Sequence, residues 1–155
     1  MIYLREATIE DRDMLYEWVN DSETRANAFS TATICYEEHC KWFNRIMTDE
    51  YVRQYIMMDG DVAVGQGRLT IEGNAAEIDY SVAPDKRGHG YGNMLITIMK
   101  QVVNKDLPQI RKLVAKVKPK NAASIRCFEN NGFADAYRQF EYNMTTYEDE
   151  SETRK

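Results

Sequence analysis

The sequence has few cysteines, no long apolar run and no excess of basic residues. Its three cysteines, Cys35, Cys40 and Cys127, are an odd number without paired spacing, which argues against a disulfide framework and against a zinc site. No stretch approaches the roughly 20 apolar residues that a membrane-spanning helix needs. The net charge of −5 argues against nucleic acid as the main partner, because phosphate binding needs a basic face. We therefore expect no metal, no membrane and no nucleic-acid partner.

The composition is that of one globular domain. The chain has 155 residues, of which 43% are hydrophobic and 29% are charged, and this length is enough for a core of its own. We expect the domain to cover residues 1–146 and residues 147–155 to form a frayed acidic tail. The N-terminus is charged within a few residues, unlike a signal peptide, so we expect a cytoplasmic protein.

The first half of the chain predicts a strand, two helices and an antiparallel meander. Residues 2–6 alternate apolar and polar side chains, as a half-buried strand does. Apolar residues at helical spacing predict one helix that begins near Thr8 and ends at residues 19–22, and a second over residues 36–47. Turn residues then separate three predicted strands over residues 51–58, 62–71 and 75–82.

The second half predicts helices that alternate with strands. Helical spacing covers residues 90–104 and 121–130, and Gly132 ends the second of these helices. Strands are predicted over residues 112–118 and 140–146. The predicted order is β-α-α-β-β-β-α-β-α-β, an α+β fold with a mixed, mainly antiparallel central sheet flanked by helices, in which residues 82–117 form a parallel crossover.

A turn with three alternating glycines joins the strand at residue 82 to the following helix. Gly88, Gly90 and Gly92 leave backbone N–H groups accessible at a helix N-terminus, where unpaired donors and the helix dipole attract phosphate. Lys86 and Arg87 add positive charge beside them. A pyrophosphate is the ligand that this arrangement favours, and a flexible surface turn is the alternative. The spacing fits neither a Walker loop nor a dinucleotide fingerprint.

Three segments together carry a family resemblance. Arg87, Gly90 and Gly92 match the pattern Arg-x-x-Gly-x-Gly/Ala, and the flanking segments are Glu-Ile-Asp-Tyr-Ser-Val-Ala-Pro at 77–84 and Asn-Ala-Ala-Ser-Ile-Arg-Cys-Phe-Glu-Asn-Asn-Gly-Phe at 121–133. With these motifs, residues 62–134 resemble the core of the GNAT superfamily of acetyl-CoA-dependent N-acetyltransferases. The resemblance implies a single acetyltransferase domain.

The resemblance also implies how acetyl-CoA is bound as cosubstrate. The two parallel strands are expected to splay apart, so that the pantetheine arm inserts like an extra strand. Backbone groups of Ser81 and Val82 are expected to bind this arm and polarise the thioester carbonyl, and N–H groups of residues 88–93 to hold the pyrophosphate. The expected cofactor-binding residues are Ser81, Val82, Ala83, Arg87, Gly88, His89, Gly90, Tyr91, Gly92, Asn93, Asn121, Ser124 and Phe128.

A looser resemblance concerns the acceptor. Residues 17–21, Arg25, Ile34, His39 and residues 42–43 resemble the N-terminal pattern of GNAT enzymes that acetylate nucleotide-linked amino sugars, of the pseudaminic acid pathway type. This implies direct transfer, in a ternary complex, to a primary amine of a small molecule, first of all a UDP-linked amino sugar. The expected substrate-binding residues are Asn20, Arg25 and His39. Core packing for the aromatic residues and a structural role for His39 are the alternatives.

Catalysis needs a group that accepts the proton of the attacking amine. Glu77 and Asp79 lie two residues apart on a strand and therefore share one face. The family resemblance makes Glu77 the preferred base, acting through water, because this strand position often carries that role in the family, and a solvated carboxylate pair is the alternative. Phe128 stands where many family members carry a tyrosine general acid, so Tyr91, Tyr137 and Ser124 are open candidates for that role.

Two other functions fit the same motifs. One is acetylation of a protein N-terminus or lysine, although Lys116 stands where ribosomal-protein N-terminal acetyltransferases usually carry glutamate. The other is a non-catalytic CoA-binding regulatory domain. A homodimer is also open, since closing strands in this family often pair between subunits.

Overall fold

A five-stranded sheet with helices on both sides forms the fold, which a computed structural model describes for residues 1–144. The strands are β1 (Ile2–Glu6), β2 (Val52–Asp59), β3 (Val62–Glu72), β4 (Ala75–Val82) and β5 (Lys112–Val114). The helices are α1 (Arg12–Val19), α2 (Ser22–Asn27), α3 (Tyr36–Thr48), α4 (Tyr91–Asp106) and α5 (Ala122–Asn130). Short 3-10 turns over Ile9–Asp11 and Pro84–Lys86 precede α1 and α4. The predicted α+β class is confirmed.

The sheet order follows the chain, β1-β2-β3-β4-β5. The first three pairings are antiparallel, and β4 pairs with β5 in parallel across α4, so the predicted meander and crossover are confirmed. Strand β5 pairs with only three residues of β4, and the last pair is Glu77 with Val114. Residues 78–82 of β4 therefore extend beyond their β5 partner.

The main core lies between the sheet and helix α4. Leu69, Ile78, Leu95 and Met99 are at most 2% exposed there, and burying such a side chain stabilises the fold by roughly 1.5–3 kcal/mol. Gly67 of β3 lets the helix approach closely, because a Cβ at this position would collide with Met99 Sδ. Helix α4, which carries the glycine turn, is thus firmly held on the sheet.

A second, smaller core lies on the opposite face of the sheet. Leu15 of α1, Phe43 of α3 and Ile56 of β2 belong to it, but no residue of β4 does. Next to it, the Arg5 guanidinium hydrogen-bonds Asp11 at 2.7 Å and holds the pKa of that buried carboxyl below its usual range. This face of β4 is left to polar side chains.

Three details of the predicted secondary structure differ from the structure: one strand end, one closing strand and one short helix. The strand predicted over residues 112–118 ends at Val114, because the chain diverges from β4 and has no partner with which to continue. Residues 140–144 of the predicted closing strand form no strand, and residues 145 and 146 and the predicted tail lie outside the described part of the chain. Helix α2 was not predicted, because Asp21 and Ser22 end one helix in the sequence pattern, whereas in the structure Asp21 caps a second helix that begins at Ser22.

Among residues 1–144, no helix is both long and apolar enough to cross a membrane. Over the same residues, no three His, Cys, Asp or Glu side chains cluster in a way that could hold a metal ion.

Candidate functional site

A gap opens in the sheet where β4 outruns β5. Residues 78–82 remain extended, whereas residues 115–118 adopt no strand after Val114. The edge of β4 that faces this gap has backbone groups that β5 does not pair. An extended ligand can add hydrogen bonds to such an edge, as a further strand does. The splayed strands that the sequence resemblance implies are therefore present.

The glycine turn lies at the end of β4 and leads into α4. Gly88 and Gly90 have φ of +81° and +80°, and a Cβ at either position would meet nothing within 4 Å. Backbone conformation, rather than crowding, is therefore what requires glycine at these two positions. Gly90 caps α4, whose first intrahelical hydrogen bond runs from Met94 N to Gly90 O. The N–H groups of the first turn consequently have no intrahelical partner and can bind an anion.

Several predicted cofactor-binding residues around this turn hold the turn itself in place. The Tyr91 hydroxyl donates to Asp59 at 2.6 Å, and this bond raises the pKa of Tyr91. The Asn93 side chain accepts a hydrogen bond from Asn131 at 2.9 Å. The buried Ala83 donates its backbone N–H to Val64 of β3. Their backbones border the turn, and the side chains of His89 and Asn93 are exposed there.

Arg87 is bound by side chains from the N-terminal part of the chain, in and next to helix α2. Its Nη2 lies 2.5 Å from Asp21 Oδ2 and 3.1 Å from Thr24 Oγ1, and its Nε lies 2.8 Å from Glu23 Oε2. The hydrogen bond from Arg87 also lowers the pKa of Asp21. The guanidinium that the sequence assigns to the cofactor is thus already engaged by two carboxylates.

Helix α5 closes the far side of the gap. Asn121 caps the helix by accepting a hydrogen bond from Ser124 N, and the buried Ser124 Oγ accepts one from the Tyr80 hydroxyl at 3.0 Å. Phe128 is also buried, and its ring packs edge-on against Tyr80. Burial raises the pKa of Tyr80, which keeps this phenol protonated. Sequence reasoning missed Tyr80, although its alternation with the buried Ile78 places it on the core face.

The predicted catalytic carboxylates lie on the polar face of β4. Asp79 forms an ion pair with Arg68 at 2.8 Å, and this guanidinium lies over the ring of Trp42, 5.3 Å from its centroid. Glu77 makes a looser contact of 3.8 Å with Lys116. Within residues 1–144 no hydrogen bond involves the Glu77 carboxylate, whereas Asp79 is held by Arg68. Glu77 is therefore the freer carboxylate to accept a proton.

A directional chain of hydrogen bonds ends at Ser81 on the same face. The Gln54 amide donates to the Gly67 carbonyl and to Gln66 Oε1, and the Gln66 amide donates to Ser81 Oγ at 3.1 Å. Because the Gly67 carbonyl can only accept, it fixes the orientation of both amides. Ser81 consequently accepts from Gln66 and keeps its own hydroxyl proton to donate. No motif marks Gln66 in the sequence, and only the register of β3 against β4 identifies it.

The three predicted substrate-binding residues hold the segment between α1 and α3. Asn20 makes paired hydrogen bonds with the backbone of Ile34 at 2.8 and 2.9 Å. His39 is 2% exposed, and its Nε2 contacts the carbonyl of Arg12. Arg25 donates to the backbone carbonyls of Val19, Ser30 and Ala32. Substrate binding by these residues stays a prediction, while their observed contacts are internal.

Comparison with known protein families identifies the family to which the chain belongs. The family model described as an acetyltransferase (GNAT) domain matches residues 2–134. The chain belongs to the GNAT acetyltransferase family. It is an N-acetyltransferase that uses acetyl-CoA as acetyl donor and an amine as acceptor. The gap along β4 and the open first turn of α4 fit an acylated pantetheine arm and its diphosphate.

Individual relatives place the chain within the GNAT family. It is 28% identical over 149 residues to an aminoglycoside N(6')-acetyltransferase type 1 of Klebsiella pneumoniae, covering 85% of this chain and 73% of the relative. The spermidine N-acetyltransferase of Vibrio cholerae, solved with CoA and spermine, has a TM-score of 0.82 at 20% identity, covering 92% and 88% of the two chains. AAC(6')-Ib, solved with paromomycin and acetyl-CoA, has a TM-score of 0.72 at 24% identity, covering 83% and 80%. The solved structures share the fold.

Proposed function

We propose that this GNAT enzyme transfers acetyl to a primary amine of a small polycationic molecule by direct attack in a ternary complex. The observation that carries the proposal is the gap beside residues 78–82, which opens next to the first turn of α4. The edge of β4 can pair with the acyl-pantetheine arm, while the first-turn N–H groups bind the diphosphate. The acetyl group then lies near the polar face that carries Glu77.

The negative net charge of the chain and its similarity to enzymes named for polycationic substrates favour a polycationic acceptor. The chain carries a net charge of −5, which attracts cations over long range. The names of similar proteins include acceptors of this kind, an aminoglycoside and spermidine. The UDP-linked amino sugar that the sequence predicts depends on Asn20, Arg25 and His39, whose side chains are engaged within the protein. The UDP-linked amino sugar is therefore included in the acceptor panel below as an alternative substrate.

Glu77 is the proposed base. The neutral amine nitrogen attacks the thioester carbonyl carbon, the carbon–sulfur bond breaks, and the proton of the amine passes through water to Glu77. The thiolate of CoA leaves and takes up a proton from solvent. Glu77 suits this role because its carboxylate is half exposed beside the last pair of the β4–β5 ladder and, among residues 1–144, is held only by the 3.8 Å contact with Lys116.

An acceptor panel tests the function. The purified chain is given acetyl-CoA with spermine, an aminoglycoside, a UDP-linked amino sugar or a peptide with a free N-terminus, and thiol release is measured. We expect turnover with the two polycations. In Glu77→Gln, kcat falls about 100-fold, the loss typical of removing a general base, while calorimetry shows unchanged CoA binding. Glu72→Gln, at an exposed position of β3, is the matched control with wild-type kcat.

Two outcomes would contradict this proposal. Turnover only with the peptide or only with the UDP-linked sugar would assign a different acceptor. CoA binding without turnover of any amine, and no effect of Glu77→Gln, would instead support the regulatory-domain alternative.

A homodimer stays a proposal that concerns the segment after α5. Residues 140–144 alternate apolar and polar side chains, and Phe140, Tyr142 and Met144 are at least 82% exposed. This alternation suits a strand that pairs outside its own chain. The molar mass of the chain in solution tests the proposal.

A further inference from the structure

Helix α2 lacks a hydrophobic anchor. It has six residues, Ser22–Asn27, and none of them is buried. A helix of this length is not stable alone, because helix formation needs more turns or tertiary packing to offset its nucleation cost. Polar contacts at its two ends must therefore determine where it lies.

The N-terminal end of α2 is attached to the cofactor turn. Asp21 accepts from Thr24 N as the helix cap and also binds Arg87, while Glu23 in the first turn binds Arg87 Nε. The ion pair is mostly shielded from water, with the Arg87 and Asp21 side chains 34% and 20% exposed. Shielding strengthens such a pair relative to one on the open surface.

The C-terminal end of α2 is attached to the other side of the gap. Lys118 Nζ donates to the carbonyl of Ala26 at 3.2 Å. Arg87 follows β4 in the chain, and Lys118 follows β5. An element that touches both therefore bridges the two strands where they diverge.

We propose that α2 forms a wall of the amine site across this gap, and that Arg87 is the positioning residue that holds it there through Asp21 and Glu23. The inference rests on the proposed acetyl transfer to an amine and assigns the Arg87 side chain a role other than the diphosphate binding that the sequence predicts. The glycine turn that binds the cofactor and the helix that borders the amine site are then joined through Arg87. Loss of the ion pair weakens productive binding of the amine more than it weakens binding of CoA.

The neighbouring cation provides a matched contrast. Lys86 lies on the same turn, and within residues 1–144 its ammonium forms its ion pair, at 4.0 Å, with the exposed Asp85 carboxylate and not with a carboxylate of α2. Lys86→Gln therefore removes one positive charge from the turn while the bridge is kept. Glu10→Gln removes an exposed carboxylate elsewhere and controls for net charge.

The test combines three measurements on Arg87→Gln, Asp21→Asn and the double variant. We expect roughly a tenfold rise in the KM of the amine in each single variant, because α2 then occupies the position that completes the amine site for only a fraction of the time. The double variant should be no worse than Arg87→Gln alone, since both single variants remove the Arg87–Asp21 ion pair. Calorimetry should show the Kd of CoA changed less than about threefold, and amide hydrogen exchange of residues 21–27 should become faster. Lys86→Gln should leave exchange of residues 21–27 and the KM of the amine unchanged.

The opposite pattern would overturn the inference. That pattern is a tenfold weaker CoA Kd in Arg87→Gln with an unchanged KM for the amine, or hydrogen exchange of residues 21–27 that does not respond to either variant. Exchange and calorimetry need no turnover, so a failure of the proposed acetyl transfer would be seen separately.

Discussion

Glycine turns with positive φ precede and follow strand β4, yet only the turn that follows it belongs to the proposed cofactor site. Gly73 has φ of +62° and Gly90 has φ of +80°, and a Cβ at either would contact nothing within 4 Å. The first turn joins two antiparallel strands, and β5 pairs alongside the residues that follow it. The second leads into a helix, and β5 has already ended. A glycine with positive φ therefore does not by itself make a binding site. The elements that follow the turn determine whether its backbone can bind a ligand.

The largest expected effect is a loss of stability when the buried face of β4 is changed. Ile78 is 2% exposed in the main core, so Ile78→Ala should lower the free energy of unfolding by about 3 kcal/mol through lost burial and a cavity. Denaturant unfolding measures this loss. Val62→Ala, at a 49% exposed position of β3, should cost less than about 1 kcal/mol. Equal losses in the two variants would show that β4 does not depend on this core.

The second prediction separates the two turns directly. Gly90→Ala and Gly73→Ala should each lower the free energy of unfolding by roughly 1–2 kcal/mol, because both place a Cβ in the left-handed region. Only Gly90→Ala should also weaken CoA binding, by about tenfold, since it disturbs N–H donors at the start of α4. Calorimetry with CoA checks this. Equal CoA affinities for the two variants would contradict a diphosphate site at this turn.

The smallest expected effect concerns the Tyr80 hydroxyl, which links residues 78–82 of β4 to helix α5. Tyr80→Phe removes the donor to the buried Ser124 Oγ and should cost about 1 kcal/mol at pH 7. Burial raises the pKa of Tyr80. The folded protein therefore keeps the proton when the unfolded chain loses it near pH 10, and the wild type loses stability as pH rises further.

The variant lacks this titration, so its deficit in stability relative to wild type should shrink above pH 10. Denaturant unfolding at pH 7 and at successively higher pH follows the deficit. A deficit that stays constant with pH would mean that Tyr80 ionises alike in both states.

The fold was largely predictable because its signals are local. Alternation predicted β1, turn residues separated β2, β3 and β4, and helical spacing predicted α3, α4 and α5 to within about two residues. The end of β5 was not predictable, because residues 115–117 continue the same alternation and only the divergence from β4 ends the pairing. The exposed Phe140, Tyr142 and Met144 show the same limit, since a strand pattern does not specify a partner.

The site was predictable where backbone conformation requires particular residues, as at Gly88 and Gly90. It was not predictable where side chains meet across long separations in sequence. The pairing of Arg87 with Asp21 spans 66 positions, and a charged side chain beside a glycine turn indicates phosphate binding whether or not a carboxylate already holds it. Likewise, the link from Gln66 to Ser81 depends on strand register, which no single segment encodes.

The paired hydrogen bonds between Asn20 and Ile34 have a consequence for how this enzyme can change. They close the base of the connection between α1 and α3, while Phe29 within it is 69% exposed. Added length within residues 28–33 should therefore cost little stability, since the ends of the loop are held and Arg25 contacts backbone carbonyls of Ser30 and Ala32 rather than their side chains. Insertions there are expected to leave the sheet and the glycine turn, and with them the proposed acetyl-donor site, unchanged.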